Sequence, residues 1–297
     1  MTSHDQHVVR WTDETLELGE GARWVDDRLV LVDILNGSLY STAGDRPNSL
    51  QPLARLEGHP LGAVAPLRSG PGWIAAAGQG IGLLAGSGHL TWVAELEPIT
   101  CRMNDGGCDP VGRFWAGSMA YDGTPDAGSL YRVDPDLSVH KMIDGLSIVN
   151  GPAFSTDGSI LFLSDSGHGR ILKFPVDPET GIPGAPQTFA ELPNGSPDGL
   201  TVDAEDHLWV AIWGAGEVRR YRPDGTLDVV LTLPVPQPTS VCLGGPNLDR
   251  LFITTASYGL EPAPPGSGAV WAIDLPTPGL PTNQFNLHDP AREHTTT

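Results

Sequence analysis

Residues 29–34 read LVLVDI, and five later stretches of the chain repeat this kind of short apolar run. The later runs are WIAAAG from Trp73, FWAGSM from Phe114, LFLSDS from Leu161, LWVAIW from Leu208 and LFITTA from Leu251. Their starts lie about 41 to 47 residues apart, which is close to the length of one four-stranded propeller blade. The repeat therefore predicts an all-β fold, a six-bladed β-propeller.

Two further patterns recur in phase with these runs. After each run comes a glycine followed by alternating apolar residues, as in GSLYRV from Gly128, which suits a turn and a half-buried third strand. Before each run lies a segment such as VNGPAFS from Val149, which we expect to be the innermost strand of a blade. Residues 8–11 would then complete the last blade and close the ring. The alternative is a β-sandwich or barrel with coincidental spacing.

Composition and charge indicate the number of domains and argue against some classes of partner. The chain has 297 residues with 37 glycines and 28 prolines, which fits one propeller domain over residues 1–297. We expect an ordered core from about residue 8 to residue 287, with short polar tails at both ends. A formal net charge of −19 argues against nucleic acid and membrane partners. We expect a monomer or a weak homo-oligomer.

Cysteine usage and the N-terminal segment bear on the location of the protein. Cys101, Cys108 and Cys242 are odd in number and lack CxxC spacing, so neither a disulfide framework nor a zinc–thiolate site is indicated. Residues 1–17 are polar and acidic and lack the apolar segment of a signal peptide. No run of 18 or more apolar residues occurs in the chain. We therefore expect reduced cysteines and a cytoplasmic location.

Equivalent positions at the start of the innermost strands should form a ring at one end of the channel. The ring consists of Glu20, Gly62, Asn104, Asn150, Asp198 and Thr239. Two carboxylates and two amide carbonyls in this ring are oxygen donors of the kind that suits Ca²⁺, Mg²⁺ or Mn²⁺ and is tolerable for Zn²⁺ or Fe²⁺. Each residue alone could instead be a solvated turn residue, because Asn-Gly and Asp-Gly are common turn dipeptides. Their shared phase favours the metal site.

Loops after the second strand of each blade should return to the same face and surround the pocket. The residues expected there are Tyr121, Asp122, Asp165 to His168, Trp213 and Tyr258. Aromatic side chains among them could stack on a sugar ring, although packing is an equal alternative for each one. Trp24, Trp115 and Trp209 are expected in the core. His168 is interpreted as a loop residue, and no G-x-S-x-G elbow indicates a serine hydrolase.

Several segments together resemble the gluconolactonase, regucalcin (senescence marker protein) and luciferin-regenerating enzyme family. They are LGEGARW from Leu18, RMNDGGCDPVGRFWAGSM from Arg102, VNGPAFSTDG from Val149, PDGLTVDAEDHLWVA from Pro197 and PTSVCLGG from Pro238. They follow the family order and cover most of the chain between about Leu18 and Leu275. The resemblance implies a six-bladed propeller with a bound divalent cation.

The resemblance also implies roles for individual residues. Glu20, Asn150 and Asp198 match the cation ligands, and Arg102 and Asn104 match substrate-binding positions. Some relatives use an asparagine near Asn104 as an extra metal ligand, which leaves two roles open for it. Asp122 stands where regucalcin has a substrate-contacting glutamate. The expected cofactor is one divalent metal ion, with Ca²⁺ as the first choice and Zn²⁺, Mn²⁺, Mg²⁺ and Fe²⁺ as alternatives.

These residues suggest a divalent-metal-dependent lactonase that opens a sugar lactone, such as gluconolactone, to the aldonic acid. In this hypothesis the cation acts as a Lewis acid, Asp198 is the general base, and Arg102 stabilises developing charge or orients the ring. One alternative is a non-catalytic calcium-binding or interaction propeller. Another is a metal-dependent hydrolase of non-sugar esters or organophosphates, which an apolar pocket would favour.

Overall fold

A computed structural model describes residues 7–42 and 49–288 of the chain, and nearly all regular structure in it is β-strand. Six four-stranded antiparallel sheets contain all of the named strands in the described residues. The only helical segment found there is a short 3₁₀ turn at Ser166–His168. The prediction of an all-β, six-bladed propeller is confirmed. The expected polar tails lie mainly outside the described residues.

The strands follow the chain blade by blade, apart from β1 (Val9–Arg10), which joins the last blade. Blades one and two comprise β2 (Gly19–Val25), β3 (Arg28–Asp33), β4 (Ser38–Thr42), β5 (Leu50–Arg55), β6 (Leu61–Pro66), β7 (Trp73–Ala77), β8 (Gly80–Leu84) and β9 (Leu90–Glu95). Blades three and four comprise β10 (Cys101–Cys108), β11 (Phe114–Ala120), β12 (Gly128–Val133), β13 (Val139–Leu146), β14 (Val149–Phe154), β15 (Ile160–Asp165), β16 (Arg170–Pro175) and β17 (Gln187–Glu191). Blades five and six comprise β18 (Ser196–Val202), β19 (Leu208–Trp213), β20 (Glu217–Tyr221), β21 (Leu227–Thr232), β22 (Pro238–Gly244), β23 (Arg250–Thr255) and β24 (Trp271–Asp274).

The ring closes through the N-terminal strand. β1 pairs antiparallel with β24, with Val9 opposite Ala272 and Arg10 opposite Trp271. The last blade thus contains strands from both ends of the chain, as the sequence predicted from residues 8–11. The innermost strands β2, β6, β10, β14, β18 and β22 each contact the innermost strands of both neighbouring blades. A central channel therefore runs along their edges.

The hydrophobic core lies between the blades. Six clusters of buried side chains occur in the described residues, one at each interface between neighbouring blades. Trp24, Trp115 and Trp209 are buried in these clusters, as predicted. Burial of apolar area between twisted sheets is the main stabilising term for such a fold. Cys101, Cys108 and Cys242 are buried free thiols, as expected.

Each innermost strand contains a β-bulge near its start. One extra residue shifts the register with the second strand between Glu20 and Arg23 in blade one, and between Asn150 and Ala153 in blade four. Equivalent shifts occur in β6, β10, β18 and β22. Bulges bend a strand and redirect its side chains. The six bulges therefore lie at one level of the channel, where the predicted ring residues are found.

The C-terminal segment crosses the other end of the channel. Residues 280–283 line a cavity of about 110 Å³ together with later residues of the innermost strands. Phe285 is fully buried between blades two and three, and its backbone N–H donates to Pro66 O at 2.8 Å. The segment therefore packs against the ring opposite the bulges. Within the described residues, no helix is long and apolar enough to cross a membrane.

Candidate active site at the channel mouth

A cavity of about 330 Å³ opens above the bulges, and the predicted ligands line it together with two of the three predicted substrate residues. Its lining includes Glu20, Arg102, Asn104, Asn150 and Asp198. All five residues are buried, with exposed fractions of 3% for Glu20 and Asn150, 4% for Asn104, 6% for Arg102 and 8% for Asp198. Four different blades thus bring these side chains to one place.

The two remaining ring positions contribute no side-chain oxygen to this cavity. A Cβ at Gly62 would lie 2.1 Å from Asn104 O, so the close approach of β6 and β10 leaves no room for a side chain. Thr239 has a hydroxyl, but it donates to Gly19 O at 2.5 Å and lies 2.8 Å from Thr254 Oγ1. Thr239 therefore joins the last blade to the first, and the polar residues of the cavity come from blades one, three, four and five.

A chain of hydrogen bonds fixes the amide side chains. Arg102 Nη1 donates to Asn104 Oδ1 at 2.6 Å, and Asn104 Nδ2 donates to Asn150 Oδ1 at 2.8 Å and to Val149 O at 2.9 Å. Asn150 Nδ2 then donates to Ser166 Oγ at 3.0 Å. These contacts orient the amide oxygen of Asn150 and join β10 to β14. A buried network of this kind holds its members in one arrangement.

The carboxyl groups of Glu20 and Asp198 form the electrostatic centre of the site. Burial raises the pKa of both groups well above their ordinary values, and the negative charges around them raise it further. The two carboxyl groups are close enough to share a hydrogen bond. Burial likewise lowers the pKa of Arg102, although the nearby acidic groups partly oppose that effect. The site therefore concentrates negative charge in a poorly solvated place.

Asp105 is a third buried carboxylate, which the sequence analysis did not single out. Its Oδ1 accepts from Gly106 N at 2.8 Å and its Oδ2 accepts from Gly151 N at 2.9 Å. Burial raises the pKa of Asp105, while the Arg23 guanidinium, 3.9 Å away, lowers it. Asp105 lines the cavity on the far side of the bulges and adds negative potential below Glu20 and Asp198. The bulge in β10, which a repeat pattern does not reveal, turns it inward.

The donor set fits a divalent cation by its chemistry. Neither Glu20 nor Asp198 has a Lys, Arg or His ion-pair partner within 4.0 Å in the described part of the chain. Buried carboxylates normally have such a partner or a metal. Within residues 7–42 and 49–288, no group of three or more His, Cys, Asp or Glu side chains is arranged to hold a metal ion. The predicted set is different, since it combines two carboxylates with the amide oxygen of Asn150.

The residues predicted around the pocket divide into two groups. Trp213, Tyr258 and Ser166 line the cavity, while Asp122 is not in the lining. The Asp122 carboxylate instead accepts from Thr124 N at 2.9 Å and from Thr124 Oγ1 at 2.6 Å in an exposed turn. His168 also lies outside the lining, with Nδ1 3.1 Å from Asp165 Oδ2. The structure thus brings together the predicted ligands, Arg102 and Asn104, but not Asp122.

Apolar residues of the lining were not singled out from the sequence. They are Leu18, Ile34, Met119, Ile148 and Pro197. Leu18 and Ile34 flank the first blade's inner strands, Met119 belongs to β11, and Ile148 precedes β14. These residues lie at strand ends near the predicted site. The sequence analysis did not identify them because apolar side chains in a repeat are normally assigned to the core.

The chain is similar in sequence and fold to several known proteins. Residues 18–257 match the family model described as "SMP-30/Gluconolactonase/LRE-like region". The pentonolactonase XacC of Haloferax volcanii is 32% identical over 292 residues, which cover 92% of this chain and 96% of that protein. The 6-deoxy-6-sulfogluconolactonase of Pseudomonas putida is 35% identical over 274 residues, covering 88% of this chain and 92% of that protein. The solved structure of a calcium-binding protein, regucalcin, from Agrobacterium tumefaciens matches with a TM-score of 0.87 and 28% identity, covering 95% of this chain and 98% of that one.

Proposed function

The chain belongs to the SMP-30/gluconolactonase/LRE-like family, and on this basis we propose that it is a divalent-metal-dependent lactonase that opens a sugar lactone to the aldonic acid. The observation that carries the proposal is the buried pair Glu20 and Asp198, which has no ion-pair partner among the described residues and faces the same cavity as Arg102. Two relatives with lactonase names support the reaction class.

Glu20, Asn150 and Asp198 would hold the cation, which when bound supplies Lewis acidity toward a carbonyl oxygen. Ca²⁺ is the first choice because all three donors are oxygens and because the Agrobacterium tumefaciens relative is described as calcium-binding. Asn104 orients Arg102 and Asn150, since both hydrogens of its amide are already donated and its oxygen accepts from Arg102.

Hydrolysis requires a proton acceptor and a group that tolerates negative charge. Water attacks the lactone carbonyl carbon, the ring C–O bond breaks, and the released alkoxide takes up a proton. Asp198 is the candidate base for the attacking water, because its carboxylate lines the cavity and carries a raised pKa. Arg102 is held by Asn104 and Met103 O and retains N–H groups that can donate to the developing oxyanion.

A chelation experiment tests metal dependence and reaction class together. Protein treated with EDTA should lose turnover on a panel of aldonolactones, and addition of Ca²⁺, Zn²⁺, Mn²⁺ or Mg²⁺ in turn should restore it. Asp198→Asn should lower kcat about 10²-fold or more, since a positioned general base contributes about 10²–10⁴. Asp224→Asn, in an exposed turn of blade five, is the control and should keep full activity. Full turnover in EDTA or in Asp198→Asn would refute the proposal.

Two other functions give different results in the same experiment. Cation binding by calorimetry without turnover on any lactone would indicate a calcium-binding or interaction propeller, for which the described calcium binding of the Agrobacterium tumefaciens relative argues. The apolar part of the cavity argues for a hydrolase of non-sugar esters or organophosphates. Such a hydrolase would show metal-dependent turnover of aryl esters or organophosphates and no turnover of sugar lactones.

A further inference from the structure

Two exposed tyrosines lie at the mouth of the cavity, on opposite sides of the ring. Among the described residues, three aromatic side chains are more than a third exposed, namely Trp92 at 38%, Tyr121 at 50% and Tyr258 at 52%. Tyr121 directly follows β11 in blade three, and Tyr258 comes three residues after β23 in blade six. Second strands end on the face where the innermost strands begin, and blades three and six are opposite each other in a ring of six. An aromatic residue therefore flanks the mouth from each side.

The backbone of each tyrosine is held beside the start of an innermost strand. Tyr121 N donates to Thr100 O at 3.0 Å, just before the strand that carries Arg102. Tyr258 N donates to Glu17 O at 3.0 Å, just before β2, the strand that supplies the first acid of the site. These bonds fix both positions relative to the cavity, so the two side chains belong to the mouth rather than to loops remote from it.

The two rings are also close to the charged end of Arg102. Burial lowers the pKa of Arg102, and the phenol groups of Tyr121 and Tyr258 are near enough to its guanidinium to oppose that shift. Tyr258 lines the cavity together with Arg102, whereas Tyr121 lies outside the lining. About half of each tyrosine is open to solvent, so neither side chain is part of the core. Both can therefore contact a molecule that binds at Arg102.

The face of an aromatic ring carries a negative potential and attracts C–H groups, and the contact removes apolar area from water. A sugar lactone presents C–H groups on the faces of its ring and hydroxyl groups around its edge. We propose that Tyr121 and Tyr258 are specificity-determining residues, which contact the faces of the lactone ring at the mouth while the lactone carbonyl points toward Arg102. This inference rests on the proposed lactonase function.

Such a pair of tyrosines distinguishes a cyclic molecule from an acyclic one. Hydrolysis breaks the ring C–O bond, and the open-chain acid no longer presents fixed faces to the two aromatic rings. The tyrosines therefore contribute more to binding of the lactone than to binding of the product. Substitution of either one should raise KM for the lactone and leave kcat nearly unchanged, because neither residue takes part in the proton transfers.

A cyclic and an acyclic amide form a matched pair of probes for this preference. D-Glucono-1,5-lactam and D-gluconamide both carry a carbonyl group, resist hydrolysis and differ by closure of the ring. Their dissociation constants are measured by calorimetry on the metal-loaded protein, which requires no turnover. We expect Tyr121→Ala and Tyr258→Ala each to weaken binding of the lactam about threefold to tenfold, the range for one aromatic contact. Binding of gluconamide should weaken less than twofold.

Three further variants separate the aromatic face from the hydroxyl group and from general surface effects. Tyr121→Phe and Tyr258→Phe keep the ring and should bind the lactam as the original protein does. Trp92→Ala removes the third exposed aromatic side chain, on the outer strand β9 of blade two, and should leave both dissociation constants unchanged.

The inference and the proposed function fail in different ways. Equal binding losses for the two amides in the folded alanine variants, or no loss for either, would overturn the role of the tyrosines while lactone hydrolysis remained. A loss in the phenylalanine variants as large as that in the alanine variants would assign binding to the hydroxyl groups and overturn the contact with the ring faces. Absence of turnover on every lactone would overturn the lactonase function and this inference with it.

Discussion

Glu20 is a carboxyl group whose ionisation should destabilise the metal-free protein. Its pKa is raised by burial and by the charges of Asp198 and Asp105. Below the ordinary value of 4.5 the group is protonated in both the folded and the unfolded state. As the pH rises above that value and through the raised pKa, the folded state ionises less readily than the unfolded state, so the free energy of unfolding falls. A bound cation would reverse this effect.

Glu20→Gln removes this charge while preserving the size of the side chain. At pH 8 without metal, we expect the variant to have a Tm about 2–4 °C higher than the original protein, which corresponds to about 1 kcal/mol for a domain of this size. With saturating Ca²⁺ the order should reverse, because the variant has lost a ligand. Thermal unfolding in EDTA and in Ca²⁺ measures the two differences in Tm. A variant stabilised by Ca²⁺ as much as the original protein would contradict the assignment of Glu20 as a ligand.

The sequence allowed some of the site residues to be predicted and not others, for a physical reason. Glu20, Asn150 and Asp198 occupy equivalent positions in the repeat, and equivalent positions lie at one level of the channel. Asp105 turns inward because of a bulge, and bulges leave no simple mark in the periodicity. Asp122 was inferred by analogy with a glutamate at the end of a second strand, where side-chain direction depends on the loop that follows. Here that loop directs the carboxylate to Thr124.

At the scale of single elements, two hairpins use the same device to fix the turn between first and second strands. In blade five, Asp203 Oδ1 accepts from the backbone N–H groups of Glu205 and His207, each at 3.0 Å, and its Oδ2 accepts from Trp209 Nε1 at 3.0 Å. In blade three, Asp109 makes the corresponding bonds to backbone N–H groups and to Trp115 Nε1. One buried aspartate thus joins a turn to a core tryptophan in each hairpin.

Asp203→Asn should destabilise the fold strongly. Asp203 is fully buried, and its Oδ2 also accepts from Arg220 Nη2 at 2.7 Å. The neutral asparagine would remove this buried ion pair and would place its own amide N–H against N–H donors. We expect a loss of about 3–5 kcal/mol in the free energy of unfolding, measured by urea denaturation. The control is Asp224→Asn, whose carboxylate accepts from Thr226 N in an exposed turn. A similar small loss in both variants would contradict this role for Asp203.

Strand type and order were predictable because a blade repeats one pattern of turns and alternation. The first and last residues of individual strands were less predictable. In the last blade the glycine pattern of the third strands reads GAVWAI from Gly268, yet β24 begins at Trp271. Gly268 and Val270 instead contact the N-terminal segment, through the hydrogen bonds from Leu16 N to Gly268 O at 2.9 Å and from Trp11 N to Val270 O at 2.7 Å. The local sequence pattern around Gly268 does not show that this segment pairs with residues from the other end of the chain.

At the scale of the whole molecule, ring closure depends on β1. Deletion of residues 1–10 would leave β24 with an unpaired edge in the last blade, and exposed strand edges promote association between chains. We expect the truncated protein to have a lower Tm and to form concentration-dependent oligomers by light scattering. The control is the double substitution Val9→Thr and Arg10→Lys, which keeps the backbone of the strand. A truncated protein that stays monomeric with an unchanged Tm would show that β1 is dispensable for closure.

The C-terminal segment lies across the channel at the end opposite the bulges, where residues 280–283 line the lower cavity and Phe285 is anchored between two blades. We therefore expect a lactone and its hydrolysis product to pass through the same mouth, on the side of the bulges. Each turnover must end with departure of an anionic product through the opening by which the next neutral molecule arrives. The surplus negative charge of the protein, −19 overall, would hasten that departure by repulsion without hindering entry of an uncharged ring.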